Sequence, residues 1–377
     1  MTDRVVPLRV QPSVVLAPMA GITDLPFRRL VARFGAVRVV SEMVASGEVV
    51  TPRASARSRA RLELGLELGL AEGDGHGDGD GDGDGGGCVV QLAGRTPAAM
   101  AAAARLAEDM GARAIDINMG CPAKKVTGGL AGAALMRAPD EAARIVAAVV
   151  GAVSVPVSVK CRLGWDAGTP NAPGIAARAV AEGAVSVAVH GRTRAQFYTG
   201  RADWAAVAAV RAALPAWVPV IVNGDIDGVA AARAALAASG ASGVMIGRAA
   251  RGAPWLPAQI AAALAGRAGP AAPAGAALVE LVAGHHAAML GFYGRDLGQR
   301  VARKHLGWYL DRNAPAADAG LRRALLTAPT PEAVARLLDA AFAPGPDRGA
   351  GPRAGDMSIF AKVKGAGAAR PAAGAAR

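Results

Sequence analysis

Residues 185–194 read Val-Ser-Val-Ala-Val-His-Gly-Arg-Thr-Arg. A short valine-rich run, preceded by glycine and closed abruptly by a polar cluster, has the pattern of a parallel strand buried on both faces. The same unit recurs on either side. Runs at 14–17, 37–42, 89–92, 114–118, 155–161, 218–223 and 243–247 share the aliphatic content and the glycine or proline boundaries. Helical patterns fill the intervals, at 24–34, 96–111, 139–150, 171–182, 203–214 and 227–238. Asp24 is placed to cap the first of these, and Thr96 followed by Pro97 to open the second. The eight βα units from 14 to 248 occupy 235 residues, close to the roughly 250 of a closed (β/α)8 barrel. The expected fold class is therefore α/β, a (β/α)8 TIM barrel with a small C-terminal all-helical domain. An open doubly wound sheet fits eight regular units less well.

Outside the barrel the pattern changes. The spacing predicts a barrel over 1–266, a helical domain over 277–343 with two or three helices (277–293, 297–311 and 331–342), and a basic tail over 344–377. The segment 72–87 is a Gly/Asp repeat with nothing to bury, and reads as a disordered insert within the barrel. Its alternating aspartates lack the later bidentate glutamate of a calcium loop, so no metal is expected.

The 377-residue chain is 52% hydrophobic, too apolar for a wholly disordered protein. Charges, glycine or proline interrupt every candidate for a membrane-spanning run, and the start lacks a signal-peptide layout. Three cysteines, Cys88, Cys121 and Cys161, cannot form a disulfide framework, so a cytoplasmic location is expected. The net charge is +12, and +7 of it lies in residues 257–377, which directs the search for an anionic partner to the C-terminal third.

In a barrel of this kind the chemistry sits at the C-terminal ends of the strands. There the sequence places Pro18-Met19-Ala20-Gly21, Glu42-Met43, Gln91, Asn118 through Pro122, Lys160, His190 through Arg194, Asn223-Gly224-Asp225 and Gly247-Arg248. The last two clusters read as a phosphate site: glycines let the backbone approach an anion, and an arginine adds a charged fork. Tight turns that happen to contain glycine are the bland alternative. A phosphate there suits a cofactor over the barrel mouth, with Gln91, Lys160 and His190 converging on its ring. Lys160 would then favour an anionic reduced flavin; otherwise it forms an internal ion pair with Asp116 or Glu42. Cys121 lies in a turn past the strand rather than inside it. An ordinary thiol is mostly protonated at neutral pH and can donate a proton there, unless it merely packs the turn. Cys88 and Cys161 read as inert core residues. Zinc-hydrolase and serine-triad motifs are absent from the sequence.

Several stretches resemble the bacterial tRNA-dihydrouridine synthases, most closely the B-type branch. They are Leu16-Ala-Pro-Met-Ala-Gly-Ile-Thr-Asp24, Ser41-Glu-Met43, Asp116-Ile-Asn-Met-Gly-Cys-Pro-Ala-Lys-Lys-Val126, Val189-His-Gly-Arg-Thr-Arg194, Asn223-Gly-Asp-Ile226, Met245-Ile-Gly-Arg-Ala-Ala250 and Ala302-Arg-Lys-His-Leu-Gly-Trp-Tyr309. The resemblance covers about residues 10 to 343. It implies an FMN-bearing barrel with a helical tRNA-binding domain. Pro18, Met19 and Ala20 would line the flavin, Gln91 and Lys160 bind its ring, and His190 contact it. Asn223, Gly224, Asp225, Gly247 and Arg248 would hold the phosphate end. Cys121 matches the proton donor and Asn118 the residue that helps hold the target uracil. The implied reaction uses NADPH to reduce FMN, passes hydride to uracil C6 and has Cys121 protonate C5, giving 5,6-dihydrouridine in the D-loop.

The target base must leave its stack to reach such a site, so the protein needs a grip on RNA. Arg300, Arg303 and Lys304 at helical spacing supply it, unless they form only a solvated basic face. Trp308 and Tyr309 read as core anchors. A monomer is expected. Two other functions remain open on the residues alone: an FMN barrel oxidoreductase acting on a small pyrimidine or enone, and a nonenzymatic RNA-binding protein on a dead barrel.

Overall fold

The computed structural model describes residues 13–35, 37–49 and 89–342. The acidic insert 72–87, Cys88 and the basic tail 344–377 lie outside the described residues.

The valine-rich runs form nine short parallel strands: β1 (Ser13–Leu16), β2 (Arg38–Val39), β3 (Val44–Ala45), β4 (Val89–Ala93), β5 (Ala114–Met119), β6 (Val157–Arg162), β7 (Ser186–His190), β8 (Val220–Asn223) and β9 (Gly243–Ile246). Their order is β2-β1-β9-β8-β7-β6-β5-β4-β3. Because β2 and β3 are successive pieces of one stretch, both ends of that order fall on the same segment. A bridge from Val40 to Val89 lies between them. The sheet thus closes on itself as an eight-stranded barrel whose second strand is broken. The single strand expected at 37–42 is corrected accordingly. Polar groups replace part of the ladder: Ser41 Oγ accepts from Gln91 N at 3.0 Å, and Glu42 accepts from Gly21 N.

Helices pack outside. Asp24 caps the helix Leu25–Ala32, its Oδ1 accepting from Phe27 N at 3.1 Å. Thr96 stands at the N-cap of Pro97–Asp109 as expected, but its side chain makes no capping bond; proline at N1 suffices to start this helix. Most apolar contact lies between barrel and helices. A second, smaller cluster fills the barrel interior, with Val15, Ala17, Val40, Val89, Ala188, Ile221 and Met245 all buried. This plug is the floor on which the site rests.

Four helices follow the barrel: Gly275–Tyr293, Arg295–Asn313, Ala319–Thr327 and Pro331–Phe342. Ala319–Thr327 exceeds the expected set. It is short and buries only Leu325, so its periodic signal is faint, although Asp318 caps it by accepting from Leu321 N at 3.0 Å. Gly275–Tyr293 has the length and mean hydropathy (1.2) of a membrane span. It carries buried His285 and His286 and packs on Arg295–Asn313 and Pro331–Phe342. Phe27 packs against both His285 and His305, with ring centroids at 5.8 and 5.7 Å, and the two histidine rings meet edge to face at 5.0 Å. Tyr293 donates to Asp24 Oδ2 at 2.9 Å, and Asn313 Nδ2 to Gly252 O at 2.9 Å. These contacts join the helices to the barrel.

Candidate active site

Side chains in a strand alternate faces, so the residue two positions past an inward-facing one faces inward again. One such step above the apolar plug stand Met19, Gln91, His190, Asn223 and Gly247. Asp116 occupies the same level above Ala114, which packs against the plug. Period two thus converts an apolar floor into a polar mouth. On β6 the same rule lines up Ser158, Lys160 and Arg162.

A chain of hydrogen bonds runs from buried Asp116 to the cysteine loop. Ser158 Oγ and Gln91 Nε2 donate to the Asp116 carboxylate, each at 2.7 Å. Asn118 Nδ2 donates to Gln91 Oε1 at 2.8 Å. Asn118 Oδ1 in turn accepts from Gly120 N at 3.0 Å and Cys121 N at 2.9 Å. Burial pushes the Asp116 carboxyl up to about 6, against the lowering effect of its two donors. Asn118, expected to hold a target base, directs its oxygen to the backbone that carries Cys121. Its amide also meets Met43 Sδ at 3.7 Å.

Arg162 grips the same loop from the opposite side. Its Nε donates to Gly120 O, and its Nη1 to Thr193 O, both at 2.8 Å. Its guanidinium lies over the Tyr198 ring, 5.6 Å from the centroid. Cys121 itself is half-buried, whereas Cys161, the next outward residue after Lys160, is sealed in the core with its thiol pushed up to about 12 by burial. The reading of Cys161 as inert agrees with that placement.

Lys160 does not form the ion pair offered as one alternative. Its Nζ donates to Asn223 Oδ1 at 3.1 Å, and Asn223 is held in turn by donating to Met245 O at 2.8 Å. Burial, and next the Arg162 charge, push the Lys160 ammonium down to about 8. Burial, and next the Lys160 charge, hold the His190 imidazole well below its usual value, so it is neutral at physiological pH.

The Asp225 carboxylate faces arginine: Arg192 Nη1 and Nη2 grip it at 2.9 and 2.5 Å, and Arg248 Nη2 approaches at 3.3 Å. Its side chain orients those cations; only its backbone is left to face an anion. Gly224 has φ of 116°, and a Cβ there would stand 2.7 Å from Ala202 Cβ and 2.8 Å from His190. Internal packing therefore demands this glycine whether or not an anion binds. Gly247 is different: a Cβ there would meet nothing closer than Met19 Sδ at 3.7 Å. That leaves an open cradle between the Pro18-Met19-Ala20 loop and Arg248. The half-buried Lys160, the neutral His190, the Gln91 amide and this cradle with its arginine fit an anionic, planar cofactor with a phosphate tail.

Arg162 lies outside the residues expected at the mouth, and Arg192 belongs to an expected polar strand end whose sequence assigns it no role. Arg162 could have been found from its two-residue step past Lys160. The pairing of Arg192 with Asp225 spans 33 residues and leaves no local signal. Arg137 and Arg194 lie over the Trp165 ring at 4.0 and 4.6 Å, and neither has a carboxylate partner among the described residues. Arg300 and Arg303 are exposed on Arg295–Asn313. Lys304 is half-buried, its Nζ 3.6 Å from where a Gly21 Cβ would stand. The three predicted RNA-contacting cations therefore sit on the helix that adjoins the strand 1 loop. Tyr309 is a fully buried anchor as expected; Trp308 is half-buried under Arg251. Among the described residues no three His, Cys, Asp or Glu side chains gather to hold a metal.

Fold and site together define a (β/α)8-barrel protein with a cationic mouth and a loop-borne thiol. The family model for dihydrouridine synthase (Dus) matches residues 15–343. A Rhodobacter capsulatus protein named "Probable tRNA-dihydrouridine synthase" is 57% identical over 91% of this chain and 98% of its own length. One of the same name from Rhizobium leguminosarum is 47% identical over 88% and 95%. The "tRNA-dihydrouridine synthase B" of Xanthomonas campestris is 46% identical over 87% and 92%. This chain belongs to the dihydrouridine synthase family.

Proposed function

We propose that this protein is an FMN-dependent tRNA-dihydrouridine synthase that draws its electrons from NADPH. The observation that carries the reading is the double grip on the Cys121 loop, by Asn118 from one side and Arg162 from the other, beside Lys160 at the mouth. A packed core cysteine needs no such grip; a proton donor that must meet one carbon of a base does.

In this reading Gln91 and Lys160 hold the flavin ring, His190 contacts it, and Pro18, Met19 and Ala20 line it. The backbone at Asn223, Gly224, Asp225 and Gly247, with the Arg248 side chain, receives the phosphate. When bound, FMN supplies the hydride that reduces the pyrimidine double bond at C6. Cys121 Sγ–H then gives its proton to C5. Lys160 supplies positive charge at the mouth, and neutral His190 adds a ring without a competing charge. Tyr198, 48% exposed beneath the Arg162 and Arg248 guanidinium groups, stands ready to face the incoming base. Arg300, Arg303 and Lys304 grip tRNA phosphates from the helical domain, and Arg137 and Arg194 do so from the rim.

The test is direct. The purified protein with NADPH and unmodified tRNA should yield dihydrouridine at a D-loop position and none from free uridine. Equal turnover of a free pyrimidine or a small enone would favour the small-molecule oxidoreductase instead.

A further inference from the structure

We infer that Leu130 is a wedge that enters the tRNA base stack in place of the uridine drawn to Cys121, an inference that rests on the function proposed above. Three observations at the tip of the cysteine loop carry it.

Leu130 is 55% exposed, a large aliphatic side chain left in water beside a polar mouth. Its backbone has φ of 57°, a left-handed conformation that residues with a Cβ avoid and that clusters where structure serves function. That conformation is locked rather than incidental. Leu130 N donates to Thr127 O at 3.1 Å, and Ala131 N to Val126 O at 3.3 Å.

The loop is also fastened to the reactive thiol. Ala133 N donates to Cys121 O at 3.0 Å. Gly132 has φ of 60°, and a Cβ there would stand 2.9 Å from Cys121 O and 3.2 Å from Cys121 Cβ. Leu130 is thus two Cα steps from the glycine that touches the cysteine, which keeps the Leu130 Cα within about 12 Å of the Cys121 Cβ. That distance is on the order of the displacement between a base in its stack and the same base swung into a pocket. Lys124 and Lys125 are exposed on the preceding turn, Lys124–Thr127, with no ion-pair partner among the described residues. An apolar tip flanked by free cations matches a nucleic-acid stack, with phosphates at its edge and unstacked base faces at its centre.

The wedge lowers the cost of unstacking the target and slows its return. Leu130→Gly removes the side chain and suits the left-handed backbone, so the variant should melt at or above the wild-type temperature. On intact tRNA its single-turnover rate of dihydrouridine formation should fall about tenfold. On a tRNA with abasic sites flanking the target uridine, where the stack is already open, the defect should shrink below about threefold. Leu130→Met, which keeps a large apolar side chain of similar volume, should restore the rate on intact tRNA. An undiminished rate for Leu130→Gly on intact tRNA would overturn the wedge. So would an equal loss on both tRNAs, which would mean that the loop acts only through the Cys121 geometry. A wild-type protein that makes no dihydrouridine at all would instead remove the function on which the wedge rests.

Discussion

Asn118 shows how much one side chain can organise. Its oxygen takes the two amides that begin the cysteine turn, and its nitrogen ties that turn to Gln91 and, through Gln91, to the buried Asp116. Asn118→Ala should strand those two amides and loosen the thiol. The expected result is a kcat fall of about a hundredfold with a smaller change in KM, and a stability loss of about 1–3 kcal/mol. Steady-state kinetics and urea unfolding would measure both. If kcat held and only KM rose, Asn118 would be acting on the base alone. Much at this scale was readable beforehand. Cys121, Lys160 and Asn118 stood out because each is out of character for its place on an apolar strand or turn. The grip of Arg162 on the cysteine loop and the pairing of Arg192 with Asp225 were not legible, because they depend on partners from other strands that only folding brings near.

At the scale of elements, the strands with uninterrupted valine and isoleucine were legible to within a residue or two. The second strand was not, since Ser41, Glu42 and Met43 trade ladder bonds for side-chain bonds in the middle of it. The turn Lys124–Thr127 and the 3-10 helix Gly132–Arg137 were also hidden, because both are short, a Gly/Ala-rich stretch reads as loop, and the 3-10 helix is tied to Cys121 by the Ala133 N bond to Cys121 O rather than by its own pattern. The cysteine loop makes its own prediction. Gly132→Ala places a Cβ against Cys121 O in a backbone region that disfavours it, so turnover should drop at least tenfold while tRNA affinity stays near wild type. A filter-binding assay beside the kinetics separates the two. The helix that escaped notice has a simpler test: Asp318→Ala should cost about 1 kcal/mol through the lost cap and leave catalysis intact.

For the whole molecule, the joint between barrel and helical domain is built around Phe27, His285, His305 and Tyr309. His285 Nδ1 meets Tyr309 Oη at 3.0 Å, and the Nε2 atoms of His285 and His305 are buried without a hydrogen-bond partner among the described residues. Burial pushes the His285 imidazole down to about 3, while the unfolded chain returns it to about 6.5. The unfolded state therefore binds more protons between those values, and stability falls as pH drops through that window. Buried Asp24 and Asp116, each raised to about 6 by burial, act in the opposite sense below pH 6. The difference between wild type and His285→Gln isolates the histidine. From pH 7 to pH 5 the wild type should lose about 2 kcal/mol relative to the variant. Parallel pH profiles would show that His285 is charged, or exposed, in the folded protein. The charge distribution is testable as well. Arg300→Ala and Arg303→Ala should each reduce the salt slope of tRNA binding by about one, and an unchanged slope would leave those arginines as solvated surface.

One measurement bears on all three scales: the rate at which dihydrouridine appears in unmodified tRNA when NADPH is supplied to the wild-type protein and to Cys121→Ala. The gripped thiol as proton donor requires steady product formation by the wild type and a fall of about a hundredfold or more in the variant, with tRNA binding preserved. A Cys121→Ala protein that reduces uridine at the wild-type rate would contradict it.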